Sequence, residues 1–434
     1  VQPVSVFWFR RDLRLQDNAG LYHALKNEVC VLPIFIFDTN ILDDLENKED
    51  RRVSFIHDSL IALQNKLQNL GSSLCVLRGK PLHCFNILLK TYAITSVYTN
   101  HDYEPYAIQR DREVADLLKA NNIPFHNYKD QVIFEKDEVT KENSEPYNVY
   151  TPYSKRWKNK LSEYYLRSYP AEKYFASFYK TDALPFPSIA EIGFKKTNYS
   201  IPGTQLDLGI ALKYDATRDY PAVKGTTRLG VHLRFGTISI RELARQVSQI
   251  NGTLLNELIW REFFQMILWH FPRVVHQSFK KEYDKIKWRN NEDEFKLWCK
   301  GQTGYAVVDA GMRELNETGY MHNRVRMIAA SFLCKHLLID WRWGEAYFAE
   351  KLMDYELASN NGNWQWAAGT GCDAAPYFRI FNPYTQTEKF DPQHVYIKKW
   401  VPESDTPAYA KPIVNHEEAR LRCLAAYKNA LRFK

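Results

Sequence analysis

With 434 residues, 45% of them hydrophobic and 25% charged, and a formal net charge of +7, the chain can bury roughly two to four structural units and is too apolar for disorder. No apolar run approaches the roughly 20 residues of a membrane helix, and the opening VQPVSVFWFRRD lacks the order of a secretory signal. The seven scattered cysteines have neither a CxxC nor a Cys/His metal spacing, so we expect an unexported cytosolic or nuclear protein with reduced thiols, no membrane contact and no metal.

The first 130 residues alternate between two periods. VSVFWF, VCVLPIFIFD, SLCVLRG, SVYTNHD and IPFHNYKD read as short buried strands, while AGLYHALKN, VSFIHDSLIALQNKLQNL, LHCFNILLKTY and YAIQRDREVADLLKAN have apolar residues at helical spacing. This predicts an α/β domain over 1–130, a parallel sheet with crossover helices. The first strand runs into RRDLRLQDN without GxGxxG or GxxxxGK[ST], so the sheet is Rossmann-like but has no dinucleotide fingerprint or P-loop.

Over 131–200 the pattern breaks into Pro-, Tyr- and Lys-rich sequence (EPYNVYTPYSKRWK, LRSYPAEKYFASFYK), too aromatic for a flexible linker, which predicts an ordered connector. From 201 to 434 the strand signature nearly vanishes. LNELIWREFFQMILWHF, AVVDAGMRELNET, NRVRMIAASFLCKHLLI and GEAYFAEKLMDY predict an all-α domain. Nine of the eleven tryptophans lie between Trp260 and Trp400, which places any aromatic chemistry in this half. Arginines interleave with aromatics in IWREFF, MHNRVRM and PYFRIFNP, a composition suited to a phosphate backbone and a stacked base, although an ordinary basic surface has the same charge.

Four motifs in the helical half can carry chemistry. In ATRDYPAVKGTTRLG, Arg218, Thr226, Thr227 and Arg228 precede a helix whose free amides suit a diphosphate, though a plain Gly-Thr-Thr cap looks alike. In LNELIWREFF, Glu257 and Trp260 share a helix face, and a carboxylate beside an indole can bond and stack a base, or simply neutralise an arginine and fill core. In MHNRVRM, Asn323 and Met327 share another face, Asn offering donor and acceptor and Met an adaptable surface, while Arg326 needs Asp354 or Glu356. In NNGNWQW, if Asn360 to Asn363 cap a helix, Trp364 and Trp366 point about 200° apart around it. Trp288 and Trp341 extend a tryptophan ladder whose members, taken singly, read as wedges between helices.

GTTRLG, NELIWREFF, TGYAVVDAGMRELNETGYMHNRVRM and DYELASNNGNWQWAAGTGCDAAPYFRIFNP, in that order, resemble the photolyase and cryptochrome family, and FWFRRDLRLQDN extends the likeness over nearly the whole chain. Within the family the residues are most similar to a class I cyclobutane pyrimidine dimer photolyase. The resemblance implies FAD held in the helical domain, with Tyr214, Thr226, Thr227, Arg228 and Leu229 at its adenine and diphosphate, Asn360 beside the ring nitrogen that changes protonation, and Arg326 paired with Asp354 alongside. It implies that Glu257, Trp260, Asn323, Met327 and Trp366 receive a flipped dimer from UV-damaged DNA, with Arg218, Arg324 and Arg379 on flanking phosphates. It assigns Trp364, Trp341 and Trp288 to a relay carrying electrons from the surface to oxidised flavin.

The same resemblance implies a monomer acting on DNA. Histidines that (6-4) lesion enzymes place at the positions of Asn323 and Met327 are missing here. Tyr106 and Ala107 stand where folate-binding members carry a carboxylate, which leaves the identity of a second, antenna chromophore open between a deazaflavin, a second flavin and none. The rival readings are a cryptochrome that signals with the same FAD and tryptophans, and a single-strand binder without cofactor. A retained dimer pocket and the absence of a long regulatory tail favour repair over signalling.

Overall fold

A computed structural model describes residues 2–431, which form two compact units. Of the described residues, unit 1 comprises 2–135, 160–205 and 228–249, and unit 2 comprises 136–159, 206–227 and 250–431.

Unit 1 is built on β1 (Pro3–Phe9), β2 (Val31–Asp38), β3 (Cys75–Gly79), β4 (Ala93–Asn100) and β5 (Phe125–Tyr128), all parallel, in the order β3-β2-β1-β4-β5. Ser5 faces Val31 on one side and Ser96 on the other, after a register shift between Val4 and Ser5. The crossovers run through α1 (Ala19–Asn27), α2 (Arg51–Asn69), α3 (Pro81–Thr91) and α4 (Pro105–Ala120). β1 and β2 are buried almost throughout, as their continuous apolar runs predict for strands covered on both faces. The strand order reverses between β1 and β4, and in such sheets ligands bind outside the carboxyl ends at that point.

The connector does not form one piece. Its helix α5 (Tyr150–Lys160) belongs to unit 2 up to Asn159, buries Tyr153 and Trp157, and donates from Trp157 Nε1 to Glu262 at 2.6 Å. Conversely, 228–249, which the sequence pattern places in the helical domain, belongs to unit 1. Arg241 explains this: it is buried there against Asp17 at 2.9 Å and Asp130 at 2.8 Å, and Asp130 also takes Arg14 at 2.7 Å. Buried charges need such partners, and these pairs join residues far apart in sequence. Burial works against the Asp130 carboxylate, but the two guanidiniums hold it down at about 2.

Unit 1 also contains the six-residue helix α6 (Gly230–Phe235). In unit 2 the helices that build the site are α7 (Gly252–His270), α8 (Ala306–Thr318), α9 (Asn323–Ser331), α10 (Trp341–Lys351) and α11 (Leu357–Ala368), and α12 (His416–Leu431) lies late in the chain. The long helix predicted from Asn323 to Ile339 breaks after Ser331 into a π-helical turn, Phe332–His336. The helix expected to be capped by Asn360 to Asn363 begins three residues earlier, so those asparagines lie inside α11. The reason is that their side chains bond across to other elements: Asn361 and Gln365 both donate to Val274 O at 3.0 Å, and Asn360 donates to Glu345.

Two glycines let helices meet closely. A Cβ on Gly362 would stand 2.1 Å from Phe264 Cδ1, and one on Gly344 would stand 2.1 Å from Trp364 Cη2. Ala at 362 would gain about 1 kcal/mol of helix propensity, but separating α7 from α11 costs about 1–3 kcal/mol. We therefore expect Gly362→Ala to lower the thermal midpoint by a few degrees, and an unchanged or raised midpoint would refute close α7–α11 packing.

Candidate functional site

Within unit 2, α9, α10 and α11 and the segment before α11 enclose a cavity of about 600 Å³ lined by Asn323, Arg326, Met327, Asp354, Asn360 and Trp366, among others. Asn323 and Met327 lie one turn apart on α9, with Asn323 Nδ2 4.0 Å from the Met327 sulfur. Arg326, from the same helix, donates to Asp354 at 2.9 Å, and Asp354 Oδ1 is buried with no protein partner. Glu356, the other partner considered for Arg326, instead accepts from Arg261 at 2.8 Å and Gln265 at 3.0 Å.

Asn360 Nδ2 donates to Glu345 Oε1 at 2.9 Å and to the Glu345 carbonyl at 3.0 Å. Burial raises the Glu345 carboxyl, with Asn360 opposing it. Sequence reasoning missed Glu345, since the pair spans α10 and α11 and nothing in GEAYF marks it.

Trp364 and Trp366 separate as the helical period requires. Trp364 is 2% exposed and packs edge-on against Phe348 at 4.9 Å, while Trp366 is half-buried. Gln365, between them, pins Phe279 N at 2.8 Å. Trp341 is 1% exposed and lies one turn before Gly344, the residue on which the Trp364 indole rests; Trp288 is partly exposed and packs against the same core.

On α7, Trp260 is half-buried and stacks on Tyr150 at 3.6 Å, with planes 4° apart. Tyr150 is itself fixed, its Oη donating to Asn256 O and its N to Asp373, both at 3.0 Å. Sequence reasoning missed Tyr150, whose partner is over a hundred residues away. Phe263 and Phe264 buttress the same indole at 5.6 and 5.5 Å.

Glu257 is closely ion-paired with Arg218. Burial raises its carboxyl, and the guanidinium pulls it back. The chain of charges continues: Arg218 lies 3.8 Å from Asp219, which takes Arg324 at 2.7 Å. Arg324 also reaches the Met327 sulfur at 3.8 Å and caps the Phe390 ring at 4.3 Å. Two arginines expected on phosphates are thus held by carboxylates, and an incoming phosphate has to compete. Arg379 is exposed, its guanidinium 5.4 Å from the centre of the Phe381 ring.

Tyr214 is buried beneath Arg218, and the Thr226 hydroxyl meets Tyr320 Oη at 3.2 Å, beside Arg326. Arg228, at φ +54°, and buried Leu229 fall in unit 1, where α6 is too short to present a strong dipole. His322 caps α9 through Nδ1, accepting from Arg324 N at 3.2 Å. Burial first, and then Arg326 and Arg324, push it down to about 4, so it is neutral at physiological pH.

Residues 254–407 match the FAD binding domain of DNA photolyase, and residues 5–173 match DNA photolyase. The chain is 36% identical to the deoxyribodipyrimidine photo-lyase of Halobacterium salinarum, over 98% of this chain and 99% of that one, and 37% identical to the enzyme of Escherichia coli, with the same shares covered. The chain belongs to the photolyase/cryptochrome family. Among solved photolyases, a bacterial class III photolyase from Agrobacterium tumefaciens matches with a TM-score of 0.87 at 32% identity, covering 99% of this chain and 98% of that one. An archaeal photolyase from Sulfolobus tokodaii with two FAD molecules matches at 0.80 and 35%, covering 99% and 100%. A Synechocystis cryptochrome matches at 0.85 and 26%, covering 98% and 99%.

The family's FAD fits the residues present. The cavity offers a buried acceptor without a protein partner in Asp354 Oδ1, a guanidinium in Arg326, and an amide in Asn360 that is backed by Glu345.

Proposed function

We propose that the chain uses light and reduced FAD to repair cyclobutane pyrimidine dimers in UV-damaged DNA. The observation that carries this reading is the wall of one cavity, with Asn323, Met327 and Trp366 on it; the charge chain through Arg218, Asp219 and Arg324 joins Glu257 to it, and Trp260 lies one turn from Glu257 on α7. A dimer stacks poorly with its neighbours, so extruding it costs less than extruding normal bases. Trp260, backed by Tyr150, and Trp366 supply replacement stacking surfaces, and Asn323 can match a base edge.

As phosphates engage Arg218 and Arg324, Glu257 loses its counterion and turns to the base edge. There a protonated Glu257 would donate a hydrogen bond to a carbonyl that gains negative charge, and burial works in favour of that form. When bound, reduced FAD supplies the excited electron that opens the ring and takes it back afterwards. Asn360, its amide anchored on Glu345, would lie beside the flavin ring nitrogen that changes protonation. The same reading has the chain act as a monomer on DNA inside the cell.

The deciding experiment reduces the protein anaerobically, adds dimer-bearing oligothymidine, and follows thymine absorbance under near-ultraviolet to blue light against a dark control. Recovery only in light is expected. No recovery, with FAD bound and photoreducible, would hand the reading to a signalling cryptochrome. In the same assay we expect Glu257→Ala to lower repair per absorbed photon about tenfold, the effect of about 1.4 kcal/mol for one hydrogen bond to a charged group, with FAD retained. An unchanged yield would remove Glu257 from the chemistry.

Unit 1 has a second cavity, of about 890 Å³, at the carboxyl ends of β1 and β2. Trp8, Phe35 and Tyr106 give it flat walls, and Arg10 and Arg110 each stand 5.0 Å from the Trp8 ring. Tyr106 Oη donates to Asp38, so the tyrosine noted in the sequence is a wall of this cavity. We assign it to a second flat chromophore. The Sulfolobus tokodaii photolyase, with its two FAD molecules, supports that assignment.

A further inference from the structure

Lys335 is 1% exposed, within the π-helical turn Phe332–His336, and has no carboxylate partner among the described residues. Its Nζ donates to Ala368 O at 2.8 Å and Tyr377 O at 3.1 Å and stands 4.1 Å from the centre of the Tyr427 ring. A neutral donor could satisfy the same two carbonyls without the cost of burying a charge. The charge therefore calls for a reason beyond capping α11.

The surroundings give one. Tyr427, on α12, is fully buried, stacks on Tyr377 at 5.7 Å, and meets both Tyr283 and Trp288 edge-on at 6.0 Å. Cys423 lies in the same cluster, one turn before Tyr427, and Cys334 precedes Lys335. If the tryptophan relay runs as proposed, an electron hole arriving at Trp288 lies next to a nest of oxidisable phenols and thiols. A cation on the Tyr427 face opposes removal of an electron from that ring.

We propose that Lys335 is a positioning residue for the relay: as an ammonium it keeps the hole on Trp288, and as a free amine it lets Tyr427 be oxidised. In the released step Tyr427 gives one electron to the Trp288 radical cation, which restores the indole, and passes its phenolic proton to the Lys335 amine. A tyrosyl radical and an ammonium result. Tyr427 Oη and Lys335 Nζ both donate to Ala368 O, at 2.7 and 2.8 Å, so the phenol and the amine converge on one oxygen, and the transfer requires the neutral amine to turn its lone pair to the phenol. The oxidant is light-excited oxidised FAD acting through the relay.

Burial pulls Lys335 down to about 8. The titratable groups that act on it are Cys423 from α12 and Cys334 from its own turn, with the Tyr427 ring and the Tyr377 carbonyl in contact; His336, Arg422, Asp340 and Tyr283 lie beside those groups. Burial raises Cys423 to about 11, lifts Cys334 and Tyr427 further and drops His336 to about 3, so none of these four titrates with Lys335.

The test is transient absorption of the FAD-loaded oxidised protein, flashed without added reductant at about pH 7 and about pH 9.5. Lys335 passes from about one-tenth neutral to nearly all neutral over that range, so the tyrosyl signal should rise about tenfold. It should vanish in Tyr427→Phe and stay low at both pH values in Lys335→Arg, whose charge cannot be titrated away. A signal that is flat with pH, or that persists in Tyr427→Phe, overturns the gate even if Lys335→Arg fails to fold. Trp288→Phe separates the two layers. Normal photoreduction in that variant overturns the relay and the gate with it, whereas lost photoreduction there, combined with a tyrosyl signal in the parent protein that is flat with pH, overturns the gate alone.

Discussion

Replacing Trp260 with alanine is expected to weaken binding of a dimer-bearing oligonucleotide about 5- to 100-fold, the effect of about 1–3 kcal/mol of base stacking. The indole is set up for this before any ligand arrives. Tyr150 covers one face at 3.6 Å, and the phenol is tied at both its hydroxyl and its backbone. Little side-chain freedom is then lost on binding, and pre-ordering of that kind is a usual source of affinity. Tyr150→Ala should accordingly weaken lesion binding by a smaller factor while leaving Trp260 in place. Fluorescence anisotropy on damaged and undamaged strands of equal length provides the measurement. An equal loss on both strands would mean that Trp260 merely supports the DNA surface, and the lesion pocket would have to be sought elsewhere.

The features that were legible in the sequence share one property: each is encoded within a few residues. Five strands alternate with helices, although the edge strands β3 and β5 are only half-buried, and α1 and α8 match their predicted spans to the residue because Asn18 and Gly319 mark the ends locally. The Glu257/Trp260 and Asn323/Met327 pairs follow from helical spacing alone. What escaped depends on chain returning from far away. Tyr150 reaches Trp260, Arg218 neutralises Glu257, and Arg241 draws 228–249 into unit 1, each across a separation that no local pattern encodes. The early start of α11 belongs here too: NNGN has the composition of a cap, but partners on Glu345 and Val274 make its amides worth more inside the helix. The break at Phe332–His336 has no sequence signal, since FLCKH contains neither Gly nor Pro to mark it.

Trp288→Phe should slow photoreduction of oxidised flavin about tenfold or more, while repair by chemically reduced protein stays within about twofold of the parent. The argument rests on burial and packing. Trp364 is buried on the bare backbone of Gly344; Trp341, also buried, lies one turn before Gly344 on α10; Trp288 is partly exposed. A hole passed along this order ends at the member nearest solvent, where an external reductant can fill it. A competing step exists, because Trp298 also meets Trp364, at 6.2 Å. Trp298 is fully buried, however, and its Nε1 donates to Ala329 O, so a hole there has neither a solvent contact nor a base for its proton. Such a hole returns rather than persists. Normal photoreduction in Trp288→Phe would refute this order. If Trp298→Phe were then the slow variant, the exit would run through Trp298 and its neighbours Phe295 and Trp343, and the partial exposure of Trp288 would have no part in electron supply.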